Sequence, residues 1–127
     1  MGYTRYWKRT DKEITEDFIE EVRDILNDCA RKGIAIRNWD GDGQPEVSLN
    51  CIAFNGNRKE NLDHESFVID GQTGFNFCKT ARKPYDYAVR KVLKIAENHG
   101  LVYDVRSDGA NYKVYSDEEY LQGMVKW

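Results

Sequence analysis

Residues 15–33 read TEDFIEEVRDILNDCARKG, and this stretch decides the fold more than any other. Its apolar residues recur at the spacing of one helix face: Phe18, Ile19, Val22, Ile25, Leu26 and Cys29. Thr15 is the expected N-cap, and Gly33 followed by Ile34 is typical of a left-handed helix stop. We therefore predict an amphipathic helix here, with the Cys29 thiol packed on its buried face.

A second helical stripe covers residues 81–98, with Pro84 suited to its first turn and Gly100 to its end. The β-formers around the two helices predict strands at residues 2–8, 34–39, 46–54, 65–70, 101–106 and 112–115. A capping box of Ser116 and Glu119 predicts a short last helix that ends near Trp127.

This order of elements, with sequential strands joined by short turns, predicts one α+β domain over residues 1–127. We expect a mainly antiparallel sheet of four to six strands, packed by two main helices plus the short C-terminal helix. The run at 40–43, Asp-Gly-Asp-Gly, invites a calcium-loop interpretation. Pro45 and Cys51 stand where that loop needs Gly and Glu, so a hairpin turn is predicted instead.

The composition limits the class of function. Of the 127 residues, 32% are charged and 13% aromatic, with a net charge of −3, so any positive site must be local. The three cysteines show no Cys-x-x-Cys spacing, and neither a secretory signal nor an apolar run of membrane-spanning length is seen. We therefore expect reduced thiols, no membrane association and a cytoplasmic location.

Three cations, Lys79, Arg82 and Lys83, lie where the second helix is predicted to begin. A helix N-terminus carries a partial positive charge and therefore favours acidic residues. The other two predicted helix starts contain acidic residues, in agreement with this rule. Cations at this end make sense if an anion binds there. We predict that helix N–H groups, the Thr80 hydroxyl and these three side chains hold a phosphate or carboxylate.

The structural alternative is that one of these cations pairs with Asp86 or Glu65 and simply holds the loop to the sheet. Both interpretations stay open at this point. Glu65 is kept among the candidate ligand-binding residues because of its expected proximity to the cluster.

A second candidate region lies at the N-terminus, where Tyr3, Tyr6 and Trp7 alternate with cations, Arg5 among them. Rings and cations together are what a nucleobase and its phosphate need. Because side chains alternate along a strand, Tyr6 should lie opposite Tyr3 and Trp7, so at least one of these rings is expected in the core. Trp39, beside its turn, has the same ambiguity.

Catalysis and metal binding have little support in the sequence. The two histidines, His64 and His99, cannot furnish a His-rich metal site, so we predict no metal and no cofactor. Cys78 next to Lys79 could have a lowered pKa, but burial at a strand end is favoured. His64 would need a partner that the sequence does not identify, and no catalytic residue is assigned.

Several segments resemble an uncharacterised family of small phage and prophage proteins. The resemblance rests on Gly2-Tyr3-Thr4-Arg5-Tyr6-Trp7, Glu65-Ser66-Phe67, the segment from Phe77 to Asp86, and Ser107-Asp108-Gly109. Family members typically carry His in place of Arg5 and Thr in place of Ser66. The resemblance implies a phage-encoded accessory protein that acts inside a bacterium, without an established activity.

The leading hypothesis is a non-catalytic, counter-defence protein that sequesters a small phosphorylated ligand, such as a nucleotide or cyclic nucleotide. One alternative is an inhibitor of a host protein that uses the acidic polar face of the first helix: Glu16, Asp17, Glu20, Glu21 and Asp24. Another is a phosphodiesterase or nucleotide hydrolase that uses Glu65 or His64. A homo-oligomer would give cover to the many aromatic side chains.

Overall fold

Two α-helices and two three-stranded antiparallel sheets make up residues 3–108, which are the residues that the computed structural model describes. The elements follow in the order β1 (Thr4–Arg9), α1 (Glu16–Arg31), β2 (Glu46–Val47), β3 (Ile52–Phe54), β4 (Phe67–Ile69), β5 (Gly74–Lys79), α2 (Asp86–Asn98) and β6 (Val102–Ser107), with a short 3-10 helix (Arg58–Glu60) between β3 and β4. The predicted α+β class is confirmed. The predicted strand at 112–115 and the predicted last helix lie outside the described residues.

Helix α1 has the boundaries that its sequence predicts. Thr15 is extended, and its hydroxyl accepts a hydrogen bond from the Phe18 N–H at 3.3 Å. At the other end Gly33 has a φ of +77°, and the Ile34 N–H donates to the Cys29 carbonyl at 2.9 Å. Phe18 and Cys29 are fully buried, so the predicted stripe is the packing face.

Helix α2 begins at Asp86, later than the predicted start at Ala81. Ala81 and Arg82 have φ values of +53° and +56°, in the left-handed region that a right-handed helix cannot include. The chain makes a turn there, in which the Lys83 N–H donates to the Thr80 carbonyl at 3.0 Å. The prediction that the three cations open a helix was wrong. Gly100 follows the helix end as predicted, with a φ of +73°.

The first sheet has the order β5-β1-β6, with β1 in the centre. Tyr6 lies opposite Phe77 of β5 and opposite Arg106 of β6. Strand β5 was not predicted over its full length: only a strand end at Cys78 was expected from the sequence. Its alternating sequence, Phe-Asn-Phe-Cys-Lys from 75 to 79, fits the edge strand that the structure shows.

The second sheet has the order β2-β3-β4. The predicted strand at 46–54 is a hairpin, because Ser48 and Cys51 exchange backbone hydrogen bonds of 3.0 and 3.3 Å across a turn. The predicted strand at 34–39 was wrong: only an isolated bridge between Arg37 and Asn55 forms there.

The core joins both helices to both sheets. Its buried side chains form one cluster, in which the Trp7 ring lies 5.2 Å from the Phe67 ring and the Phe54 ring lies 5.0 Å from Phe67. Trp7 points inward from β1, so the opposite side of the first sheet faces away from this core. Among residues 3–108, no helix is both long and apolar enough to cross a membrane.

Candidate functional site

Segments far apart in the chain meet at one end of the first sheet. Thr4 of β1 lies opposite Lys79 of β5. The Asp108 N–H donates to the Thr4 carbonyl at 2.9 Å, and the Asp108 carboxylate accepts from the Thr4 N–H at 3.1 Å. The Glu65 N–H donates to the Lys79 carbonyl at 3.1 Å. Within residues 3–108, the parts of the four segments on which the resemblance rests are therefore neighbours in space.

A buried ion pair underlies this corner. The Arg5 Nε and Nη2 donate to the two carboxylate oxygens of Asp86 at 2.7 and 2.9 Å, and the Thr80 hydroxyl donates to Asp86 Oδ1 at 2.8 Å. Burial alone would lower the pKa of Arg5, but the hydrogen-bonded Asp86 carboxylate raises it, so the guanidinium stays charged. Arg5 and Thr80, predicted as ligand contacts, instead bind the buried Asp86 carboxylate.

The backbone donors predicted to bind an anion are also occupied. The Thr80 and Ala81 N–H groups both donate to the Tyr3 carbonyl, at 3.0 and 3.2 Å. At the start of α2, the Asp86 N–H donates to the Lys83 carbonyl at 2.8 Å. The acid in the first turn of α2 is Asp86 itself, so this helix follows the usual charge rule.

The side chains of Lys79, Arg82 and Lys83 make no ion pair with a carboxylate in the part of the chain that the structure describes. The two acids nearby have other partners: Asp86 pairs with Arg5, and Glu65 Oε1 accepts from the Lys79 backbone N–H at 2.9 Å. Lys83 Nζ donates to the Asn61 carbonyl at 3.0 Å. The charges of these three side chains are therefore not neutralised by a structural ion pair.

Aromatic rings position two of these cations. The guanidinium carbon of Arg82 lies 4.5 Å from the centre of the Tyr3 ring, and Lys79 Nζ lies 5.9 Å from the centre of the Phe77 ring. Arg82 and Lys79 are both exposed. We call Tyr3, Lys79, Arg82 and Lys83 the basic corner.

The side of the first sheet that faces away from the core continues from the basic corner. We call it the outer face and define it by six side chains, which are Tyr6, Lys8, Phe75, Phe77, Tyr103 and Arg106. Phe75, Phe77 and Tyr103 are 63%, 49% and 51% exposed. The Tyr6 and Phe75 rings lie 6.2 Å apart at an angle of 28°, and the Phe75 and Phe77 rings lie 6.0 Å apart.

A cavity of about 320 Å³ opens on the outer face where the pairing of β1 and β6 is irregular. Tyr6 and Phe75 line it, together with a polar group formed by Asp104 and Arg106. Arg106 donates to both Asp104 oxygens at 2.8 and 2.7 Å, which lowers the pKa of Asp104. The volume lies near the lower end of the range for small-molecule pockets.

The predicted aromatic residues have different locations. Trp7 is only 2% exposed, so its ring belongs to the core and cannot stack on a ligand. This agrees with the expectation that one N-terminal ring is buried. Trp39 is 59% exposed, but within residues 3–108 no ring or cation contact joins it to the basic corner. Tyr3 lies beside Arg82, and Tyr6 lies opposite Phe77 on the outer face.

The groups considered for catalysis have structural partners. Cys78 is fully buried, and burial raises the pKa of its thiol to about 12, so it is not a nucleophile at neutral pH. His64 Nδ1 donates to the Lys79 carbonyl at 2.7 Å. No group of three His, Cys, Asp or Glu side chains in the described residues is arranged to hold a metal ion.

No family model, curated protein or solved structure matches this chain. The fold and the site define an α+β domain with an aromatic sheet face that ends in a basic corner. The outer-face residues Phe75, Phe77, Tyr103 and Arg106 were missed as candidates from the sequence. The signal that could have found Phe75 is the alternation along 75–79, which is typical of a strand.

Proposed function

We propose that this protein binds and sequesters a small phosphorylated ligand that carries a nucleobase, at the basic corner and the adjoining outer face. The observation that carries the proposal is that the Lys79 and Arg82 side chains are exposed and have no carboxylate partner within residues 3–108. The protein as a whole has a net charge of −3, so these cations form a local anion-attracting site on an acidic molecule.

Each group of the basic corner has a distinct role in this proposal. Arg82 offers a planar fork for two phosphate oxygens, whereas Lys79 and Lys83 offer mobile point charges. Stacking of Arg82 on Tyr3 restricts its side chain before the ligand arrives, which lowers the entropic cost of binding. An exposed ring such as Phe77 or Tyr6 then receives the base.

Binding is favoured over turnover at this site because the candidate catalytic groups have structural tasks. Glu65 and His64 both hold the backbone of Lys79, and the Cys78 thiol is buried and protonated. The biological setting rests on the resemblance to phage and prophage proteins. We place the protein in the cytoplasm of a host bacterium, where it removes a phosphorylated signal from a defence pathway.

Titration calorimetry against a panel of nucleotides and cyclic nucleotides tests this proposal. The variant Lys79→Ala/Arg82→Ala should bind its best ligand at least about tenfold more weakly, because it loses charge-assisted hydrogen bonds. The matched control is Arg31→Ala/Lys94→Ala, which removes the same charge from exposed helix positions. Its affinity should stay within about twofold of wild type.

The fate of the ligand separates sequestration from turnover. Chromatography of the ligand released by heating should return it chemically intact. The proposal fails if no phosphorylated ligand binds, or if the corner variant and the helix control lose the same affinity.

A further inference from the structure

We infer that the ligand is a short single-stranded oligonucleotide, with a phosphate at the basic corner and successive bases stacked along the outer face. This inference rests on the proposed function and names the ligand class of the same site. A ligand of one nucleotide would use only one end of the surface described above.

The row of side chains along β5 is long enough for more than one nucleotide. Phe75, Phe77 and Lys79 alternate along β5 and point to the same side, with spacings of 6.0 Å between the two rings and 5.9 Å from Phe77 to Lys79 Nζ. Four residues of strand span about 13 Å, at about 3.3 Å per residue. A nucleic-acid strand in a duplex advances about 3.4 Å per nucleotide, so several nucleotides fit along this distance.

The chemistry of the outer face suits bases without strong sequence preference. Every base has a π-face that stacks on an exposed ring. The cavity between Tyr6 and Phe75 can take one base, and Arg106 and Asp104 at its edge supply a donor and an acceptor for that base. Such a site holds one base by its edge and the others mainly by stacking.

Charge complementarity also favours a strand with several phosphates. The basic corner and the outer face carry cations at Lys8, Lys79, Lys83, Arg82 and Arg106. Three carboxylates lie beside these five cations. Asp104 pairs with Lys8 at 3.4 Å and with Arg106 at 2.7 Å, Asp108 accepts from the Tyr6 hydroxyl, and Glu65 accepts from the Lys79 backbone N–H. The basic corner and the outer face are therefore locally positive on a protein of net charge −3. Such a surface suits a short single strand of nucleic acid rather than a long duplex.

A second copy of the chain is the competing occupant of an exposed aromatic face. Cations are interleaved with the rings: Lys8 Nζ lies 5.8 Å from the Tyr103 ring, and Lys79 lies beside Phe77. The centres of protein interfaces are depleted of lysine, whereas surfaces for single-stranded nucleic acid combine rings with cations. The pattern on this face therefore favours the oligonucleotide.

Fluorescence anisotropy with 3′-labelled, 5′-phosphorylated single strands of one, two, four and eight nucleotides tests this inference. The affinity should rise at least about tenfold from one to four nucleotides and then level off. The same sequence as a duplex should bind at least about tenfold more weakly than the single strand, because its bases cannot reach the rings.

Two variants test whether the rings of the outer face cause the rise of affinity with oligonucleotide length. Phe75→Ser/Phe77→Ser should weaken tetranucleotide binding about tenfold and mononucleotide binding by no more than about threefold, because a single base can also stack on Tyr6. Leu49→Ser, which removes a side chain that is 51% exposed in the turn between β2 and β3, should change neither affinity. Far-ultraviolet circular dichroism confirms that each variant is folded.

The outcomes are distinguishable. Equal affinity for one and four nucleotides, with no effect of the ring variant, overturns the inference and leaves the proposed function intact. Absence of binding at every length and in the nucleotide panel overturns both. A stable dimer in light scattering that Phe75→Ser/Phe77→Ser dissociates, without oligonucleotide binding, assigns the outer face to a second copy and overturns the inference.

Discussion

The two faces of the first sheet carry the same kinds of side chain and use them in opposite ways. On the inner face, Arg5 is paired with Asp86, and Arg9 donates from Nε to the Asp70 carbonyl at 2.8 Å and from Nη1 to the Thr10 carbonyl at 2.7 Å. On the outer face, Lys8 lies over the exposed Tyr103 ring and shares the Asp104 carboxylate with Arg106. Cations on the inner face have buried partners within the fold, whereas the outer-face ion pairs are in contact with water and can exchange for a ligand.

This difference shows that residue type alone does not assign a role. Trp7 and Tyr6 are neighbours in the sequence, yet the Trp7 ring packs beside Phe67 in the core and the Tyr6 ring stacks on Phe75 on the outer face. The alternation of a strand decides which is which.

The largest expected effect separates the rings of the two faces. Trp7→Ala should lower the free energy of unfolding by about 3–5 kcal/mol, because it leaves a cavity beside Phe67 in the core. Phe75→Ala should change it by less than about 0.5 kcal/mol, since its ring is mostly exposed. Urea unfolding of both variants checks this. Equal losses of unfolding free energy in the two variants would contradict the distinction between a buried inner face and an exposed outer face.

The second prediction concerns the carboxylates. Asp86→Asn should lower the free energy of unfolding by about 3 kcal/mol, because the buried Arg5 guanidinium loses its counter-charge. Asp104→Asn on the outer face should leave the urea midpoint unchanged, since Lys8 and Arg106 remain in water. A stable Asp86→Asn variant would show that the buried pair does not hold the corner together.

The third prediction is a pH dependence set by the buried thiols. Burial raises the pKa of Cys78 from 9.0 to about 12, so the unfolded chain releases this proton first as the pH rises. Stability is therefore unaffected below pH 9 and falls between pH 9 and 12, by up to about 1.4 kcal/mol per pH unit for this thiol. Urea unfolding at several pH values should show a shallower fall for Cys78→Ala. An identical slope in wild type and variant would contradict the assigned pKa.

The smallest expected effect is at the cavity. Arg106→Ala should leave the urea midpoint unchanged, because the side chain is exposed, and should weaken tetranucleotide binding about threefold in the anisotropy assay. Lys94→Ala is the control with the same charge change. Equal affinities for the Arg106 variant and this control would exclude the cavity from the binding surface.

Helix α1 could be predicted from the sequence because its signals are local. Thr15, the apolar stripe and Gly33 all lie within one stretch, and each acts as predicted. The start of α2 could not be predicted in the same way. The turn at 80–85 is held by the Tyr3 carbonyl and by the pairing of Asp86 with Arg5, which is 81 residues away.

The candidate site was predicted only in part for the same physical reason. The two candidate regions meet at Tyr3 and Arg82, and strand pairing rather than a helix start brings them together. The sequence of 75–79 contains the alternation of a strand, but it does not state which side the core occupies. That follows from the register of β5 against β1, which places Cys78 beside Arg5 inside and Phe77 beside Tyr6 outside.

The most direct test of the account is a nitrogen-15 NMR titration of the full chain with a 5′-phosphorylated, single-stranded tetranucleotide. We predict that the amide shifts concentrate in β1, in β5 and at Arg82, with α1 unaffected. Shifts confined to α1 or to the loop around Trp39, with β5 unchanged, would contradict the assignment of the outer face and the basic corner as the binding surface.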